Sequence, residues 1–187
     1  MKKEKEPENK KSLVQEAVSW VLTVVIPVVI VLLLNLWVCK LAIVSGGSMY
    51  PTLHDRDILV IWMLNAQPEQ GDVVVVNTSE SGVMHGDRLV KRVVATAGQT
   101  IRIDYDENAV YVDGEALNED YLNFEEPDPM AEVYGTTDMT VPEGCVFVLG
   151  DNRNHSSDSR DPQIGVIALE DILGVEILRI PIGSWFD

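Results

Sequence analysis

The stretch SGGSMYPTL at residues 45–53 sets one hydroxyl, Ser48, behind two glycines and ahead of a proline. Gly46 and Gly47 can adopt positive φ and let a second backbone approach closely, while Pro51 stiffens the exit. Met49 and Leu53 supply apolar wall, and the Ser48 N–H is a candidate donor to a developing oxyanion. A serine nucleophile needs a base. His54 sits in the polar turn HDRD, and His85 and His155 lie in other loops, none with an orienting Asp in a strand context. The alternative is RLVKRVVAT at residues 88–96. As a strand it carries Leu89, Lys91 and Val93 on one face and Val90, Arg92 and Val94 on the other. Both faces are apolar, so one cation is drawn inward, and the pattern leaves open which. Only lysine can serve as base, because burial lowers its pKa whereas arginine keeps its proton. In GDNRNHSSDSRDPQIG, Asp158 and Arg160 can pair along an extended segment, and Ser156 can hold a lysine amine by a hydrogen bond.

These groups need elements to position them. The apolar run at residues 20–38, broken only by Pro27 and Asn35, would make ~28 Å of helix, close to the hydrocarbon thickness of a bilayer. It is too long for the apolar core of a cleaved signal peptide and reads as a transmembrane anchor over 18–39. The leader 1–17 carries lysines 2, 3, 5, 10 and 11, which favour a cytoplasmic N-terminus and an outer domain at 40–187. Beyond Glu16 there are nine basic and 26 acidic residues, which argues against nucleic acid as a partner. Such a domain meets a membrane by apolar contact, with Trp37 and Trp62 as interface candidates. Past Lys40, short Val- and Ile-rich runs separated by Gly, Asp, Asn and Pro predict a mainly β domain. The expected architecture is antiparallel sheets closed into a barrel-like catalytic domain, preceded by one transmembrane α-helix. Residues 104–139 hold twelve acidic residues and no Lys or Arg. They predict a hairpin of residues 102–105 with Ala109–Val112, then a solvated acidic loop or sub-domain over 119–138, with Pro127 and Pro129 near its middle. Cys39, at the end of the span, and Cys145, in an apolar strand, read as unpaired buried thiols. The three histidines lack metal-ligand spacing, and no metal or cofactor is expected.

SGGSMYPTL, GDVVVV, RLVKRVVATAGQTI and GCVFVLGDNRNHSSDSRDPQIGVI occur in the order and character of the bacterial type I signal peptidases. The chain resembles that family from the anchor to about residue 178, and its single N-terminal span resembles the Gram-positive form. The resemblance implies a membrane-bound serine endopeptidase that removes signal peptides from secretory preproteins after small-x-small sites, through an acyl-enzyme and without a cofactor. It makes Ser48 the nucleophile, Lys91 the general base and Ser156 the residue that orients the lysine. Asp158 and Arg160 match the family's supporting ion pair, and Asp151, Asn152 and Arg153 its structural turn. Val44, Met49, Leu53 and Leu89 fall where the family lines its substrate pockets. Gly46 stands where some members carry a hydroxyl that donates to the oxyanion, which leaves that task to the backbone at Gly46 and Ser48. Lysine at 91 separates the chain from the archaeal and endoplasmic-reticulum type. The partners implied are preproteins and the lipid bilayer, with the translocation machinery left open. Two other classes remain: a self-cleaving Ser/Lys repressor, which would need a DNA-binding region, and a non-catalytic anchored β-domain acting in binding or assembly.

Overall fold

The computed structural model describes residues 12–64, 67–77, 88–122, 129–132, 135 and 137–185, without the side chains of 34–37, 137 and 185. The leader lysines, His85, Pro127 and the Trp37 side chain therefore lie outside the described residues. The chain divides into two units, Met1–Val38 and Cys39–Asp187.

The first unit is helical: α1 Leu13–Trp20, a π-helical turn Val21–Val25, and α2 Ile26–Trp37. Ser12 caps α1 in a capping box with Gln15. The Ile26 N–H bonds back to the Val21 carbonyl, five residues away. That widened turn directly precedes Pro27, which has no N–H to give and whose ring crowds the preceding turn. Among the described residues one stretch, Leu13–Leu33, is long and apolar enough to cross a membrane. Cys39 does not continue the helix, as expected from the sequence, but opens a strand.

Among the described residues the second unit has eleven strands: β1 Cys39–Ile43, β2 Ile58–Trp62, β3 Val73–Asn77, β4 Arg88–Thr96, β5 Thr100–Asp104, β6 Ala109–Val112, β7 Glu115–Ala116, β8 Thr137–Thr140, β9 Cys145–Leu149, β10 Ile167–Ala168 and β11 Ile172–Ile180. All pairings are antiparallel and fall into two sheets, β1-β2-β11-β3-β4-β9-β10 and β7-β6-β5-β8. The expected hairpin is β5 with β6, in register from Ile101↔Val112 to Asp104↔Ala109. The expected barrel closure is not found among the described residues. β1 and β10 remain free edges, and a two-residue β10 presents too few backbone groups to be bridged by another edge.

Strand β3 shows why the apolar runs lack alternation. Val73 and Val75 pack with Val44, Met49, Leu53, Leu59 and Ile61, whereas Val74 and Val76 pack with Val93, Val146, Val148, Ile167 and Ile172. A third cluster joins Val94, Phe147 and Leu149 of the large sheet to Ile101, Ile103, Val110 and Val112 of the small one. At the other end of the large sheet one face is bare. Register places Leu41 beside Val60 and Leu178, and Ile43 beside Ile58 and Ile180. Leu41, Ile43, Leu178 and Ile180 are exposed there, as is Trp62, whose indole N–H donates to the Leu64 carbonyl at 2.8 Å. A contiguous apolar sheet face of this kind is unusual in a protein surrounded by water alone. Cys39 and Cys145 are free and half-buried, not fully buried as expected.

Candidate active site

The loop between β1 and β2 is fastened at its base. The Val44 N–H donates to the Asp57 carbonyl at 2.8 Å, and the Arg56 N–H to the Val44 carbonyl at 2.9 Å. Buried Asp57 accepts the N–H groups of His54 (3.0 Å) and Gly183 (2.9 Å) and pairs with Arg179 of β11 at 2.9 Å. Arg179 also donates to the Thr52 carbonyl. Gly46 turns the chain at φ +85, a conformation that glycine adopts without strain. Its N–H is committed to the Asp55 carboxylate at 2.9 Å, which leaves it no part in an oxyanion hole. The Ser48 N–H has no hydrogen-bond partner among the described residues. Met49 and Leu53, 1% and 0% exposed, pin the loop into the core on either side of the cis Tyr50–Pro51 bond.

Of the three cations on β4, Arg88 is exposed, whereas Lys91 and Arg92 are buried, in different company. Lys91, opposite Val74 of β3 and 2% exposed, holds its Nζ 2.9 Å from Ser48 Oγ. Burial pulls its pKa from 10.5 down to about 8, against the pull of Asp158 and Asp151 and with a small push from Arg160. Arg92 forms a two-pronged pair with Asp151, Nε to Oδ1 at 2.9 Å and Nη2 to Oδ2 at 2.6 Å, while its Nη1 donates to the Gly71 carbonyl at 2.8 Å.

The turn after β9 ties these groups together. The Asn152 N–H donates to the Ser48 carbonyl at 2.9 Å, and its Nδ2 to the Gly47 carbonyl at 3.0 Å. Asp158 and Arg160 pair twice, at 2.8 and 2.9 Å, in a turn instead of the expected extended segment. Asp158 also accepts the Gly150 N–H at 3.1 Å, and Arg160 donates to the Arg153 carbonyl at 2.6 Å. Gly150 has no room for a side chain: a Cβ would lie 2.2 Å from Ser156 Oγ and 2.5 Å from the Ser48 carbonyl oxygen. That packing bears on Ser156. Its buried hydroxyl has no hydrogen-bond partner among the described residues, and the bond to the lysine amine expected from the sequence is not among the contacts.

A cavity of about 340 Å³ opens beside Ser48 and Lys91, formed by residues 41–45 and 88–91 with Ser48, Met49 and Val75. Val44, Met49 and Leu89 line it. Leu53 does not, because it packs in the core with Val44 and Met49. His54 lies 3.4 Å from Arg179, and His155 is exposed on a short 3₁₀ turn. Sequence reasoning missed Asp57, Arg179, Glu119 and Tyr121. Their links to Arg179, Asp57, Arg153 and Arg92 join positions distant in the chain, and no local pattern marks them.

The family model described as "Signal peptidase, peptidase S26" matches residues 17–181. The chain belongs to this family. A signal peptidase I of Bacillus licheniformis is 34% identical over 183 residues, covering 93% of this chain and 91% of that protein. Signal peptidase I T of Bacillus subtilis is 33% identical, covering 83% and 81%. A probable signal peptidase I-1 of a Synechocystis strain is 34% identical, covering 86% and 81%. The protein is thus a signal peptidase I, a serine endopeptidase carrying an N-terminal apolar helix.

Proposed function

We propose that this peptidase cleaves secretory preproteins after small-x-small sites with Ser48 as nucleophile and Lys91 as general base. The observation that carries the reading is a lysine amine, buried and shifted to about 8, hydrogen-bonded at 2.9 Å to a serine hydroxyl that lines a cavity with apolar side chains on part of its wall. Neutral Lys91 takes the Ser48 proton as Oγ bonds to the scissile carbonyl carbon. The carbonyl oxygen gathers charge against the Ser48 N–H. The C–N bond then breaks, and Lys91 returns its proton to the leaving amine. Water adds to the acyl-enzyme by the same route, giving its proton to Lys91 and from there to Ser48 Oγ.

The extended substrate lies between residues 41–45 and 88–91, its small side chains against Val44, Met49 and Leu89. A methylene too many in such a pocket costs ~1–3 kcal/mol, which accounts for a small-residue preference. The bare face bearing Leu41, Ile43, Trp62, Leu178 and Ile180 rests on the bilayer, and the N-terminus is cytoplasmic with the β domain outside. Cleavage of a preprotein by wild type, Ser48→Ala and Lys91→Ala tests the dyad: both variants should be inactive, and full turnover by either overturns it. Protease protection in oriented vesicles tests the topology, which fails if the β domain is shielded on the outer side.

A further inference from the structure

The 3₁₀ turn Asp120–Leu122 belongs to the acidic stretch that the sequence presents as a solvated loop, yet it packs on the machinery behind Ser48. We propose that Glu119 and Tyr121 are positioning residues of the peptidase, forming a clamp that closes over Arg92 and Arg153 and so fixes the Ser48 carbonyl.

The Arg92 guanidinium spends its in-plane donors on Asp151 and Gly71, and its flat face is covered by the Tyr121 ring at 4.0 Å. A guanidinium face is weakly hydrated and stacks well on an aromatic ring. Covering it keeps water from the Arg92–Asp151 pair, where a lower dielectric strengthens the attraction. One carboxylate oxygen, Glu119 Oε1, accepts both the Tyr121 hydroxyl at 3.1 Å and Arg153 Nη2. Arg153 Nε in turn donates to the Gly150 carbonyl at 3.1 Å. Arg92 and Arg153 therefore hold adjacent residues, Asp151 and Gly150, of the turn whose next residue, Asn152, grips the carbonyls of Gly47 and Ser48. The segment is fastened again further on. Asn154 donates to the Pro129 carbonyl at 3.1 Å and accepts the Ala131 N–H at 2.9 Å, and Met130 is buried in the core shared by the two sheets. The links converge on the turn 150–154, whose Asn152 grips the nucleophile loop, and none of Arg92, Glu119, Tyr121 and Arg153 lines the cavity, so loosening the clamp changes the aim of Ser48 and leaves the cavity lining intact.

The proposal rests on Ser48 acting as nucleophile, and the test separates the two ideas. Full-length protein in detergent is assayed on a preprotein as wild type, Ser48→Ala, Tyr121→Ala, Tyr121→Phe, Glu119→Gln and Tyr111→Ala. Tyr121→Ala should lower kcat by roughly ten- to a hundredfold with KM within about threefold, the pattern of lost alignment. Tyr121→Phe keeps the ring and should restore kcat to within about threefold of wild type, with Glu119→Gln between the two. Tyr111→Ala removes a similar stack, Arg102 over Tyr111 at 4.1 Å on the exposed sheet, and should leave both constants unchanged. Melting curves report folding, and Glu119→Gln and Tyr121→Phe carry the test if Tyr121→Ala does not fold. Wild-type kcat in folded Tyr121→Ala, a loss confined to KM, or equal losses in Tyr121→Phe and Tyr121→Ala would overturn the clamp. Turnover by Ser48→Ala would instead overturn the nucleophile assignment.

Discussion

Replacing Lys91 by methionine should abolish turnover and, at neutral pH, make the protein more stable. The magnitude follows from the amine's environment. A fall in pKa from 10.5 to about 8 means that the folded state disfavours the ammonium form by ~3 kcal/mol. The unfolded chain keeps this proton up to about pH 10.5, whereas the folded chain releases it above about pH 8. Between those limits the unfolded state binds more protons, so wild-type stability rises with pH. Below pH 8 the penalty is present in full, and above 10.5 it is gone. Methionine fills a similar volume without a charge but loses the bond to Ser48 Oγ, about 1 kcal/mol. Lys91→Met should therefore gain about 2 kcal/mol below pH 8, and the gain should shrink and change sign towards pH 10.5. Denaturant unfolding of the full chain in micelles, followed by tryptophan fluorescence between pH 7 and 10, reads this difference. A variant less stable than wild type at pH 7, or a difference that does not vary with pH, would refute the reasoning.

The same lysine sets the pH profile of the wild type: with a pKa of about 8, roughly a tenth of the amine is neutral at pH 7, so kcat/KM should rise about tenfold from pH 7 to pH 9. An acid limb below pH 7 would contradict this assignment of the base. Gly150→Ala places a methyl 2.2 Å from Ser156 Oγ and 2.5 Å from the Ser48 carbonyl oxygen, and should cost about 1–3 kcal/mol in stability together with most of the turnover. Melting curves and the preprotein assay check both. Gly46→Ala meets open space but must adopt φ +85, so a stability loss of about 1 kcal/mol with KM unchanged is expected. Arg160→Met leaves buried Asp158 without its guanidinium partner and should cost about 3–5 kcal/mol by denaturant unfolding, while adding Asp158→Asn to it recovers much of the loss.

The central strands were legible because β2, β3, β4, β9 and β11 are Val- and Ile-rich runs between turn residues. The edges were not. The apolar run before β1 hides where helix gives way to strand, and β8, TDMT, is polar and exists by pairing with β5 some forty residues earlier in the chain. Closure was misread because local alternation predicts strands and says nothing of whether the two edge strands meet. At the candidate site, the settings of Ser48 and Lys91 made them stand out in the sequence, but which of Lys91 and Arg92 turns towards the serine was undecidable from a strand apolar on both faces. The answer depends on Asp151, 59 residues away, which claims Arg92. The Glu119–Arg153 and Asp57–Arg179 links also join residues far apart in the chain, and composition gave them no signature.

The two arginine–aspartate pairs explain how a lysine can stay poised between two carboxylates. Asp158 and Asp151 both favour the ammonium form of Lys91 and oppose the effect of burial. Arg160 and Arg92 hold them in two-pronged bonds, and the charge of Arg160 in turn pushes the amine's pKa down. Desolvation then remains the dominant influence, and it points downward. The acids are kept for their geometry: Asp158 holds the Gly150 N–H, and Asp151 lies between Gly150 and the Asn152 grip on Ser48. A neutral residue at either place would lower the amine's pKa further but give up that backbone hold. Pairing each acid with an arginine keeps the hold, and at Asp158 the paired Arg160 also offsets part of the acid's pull on the amine.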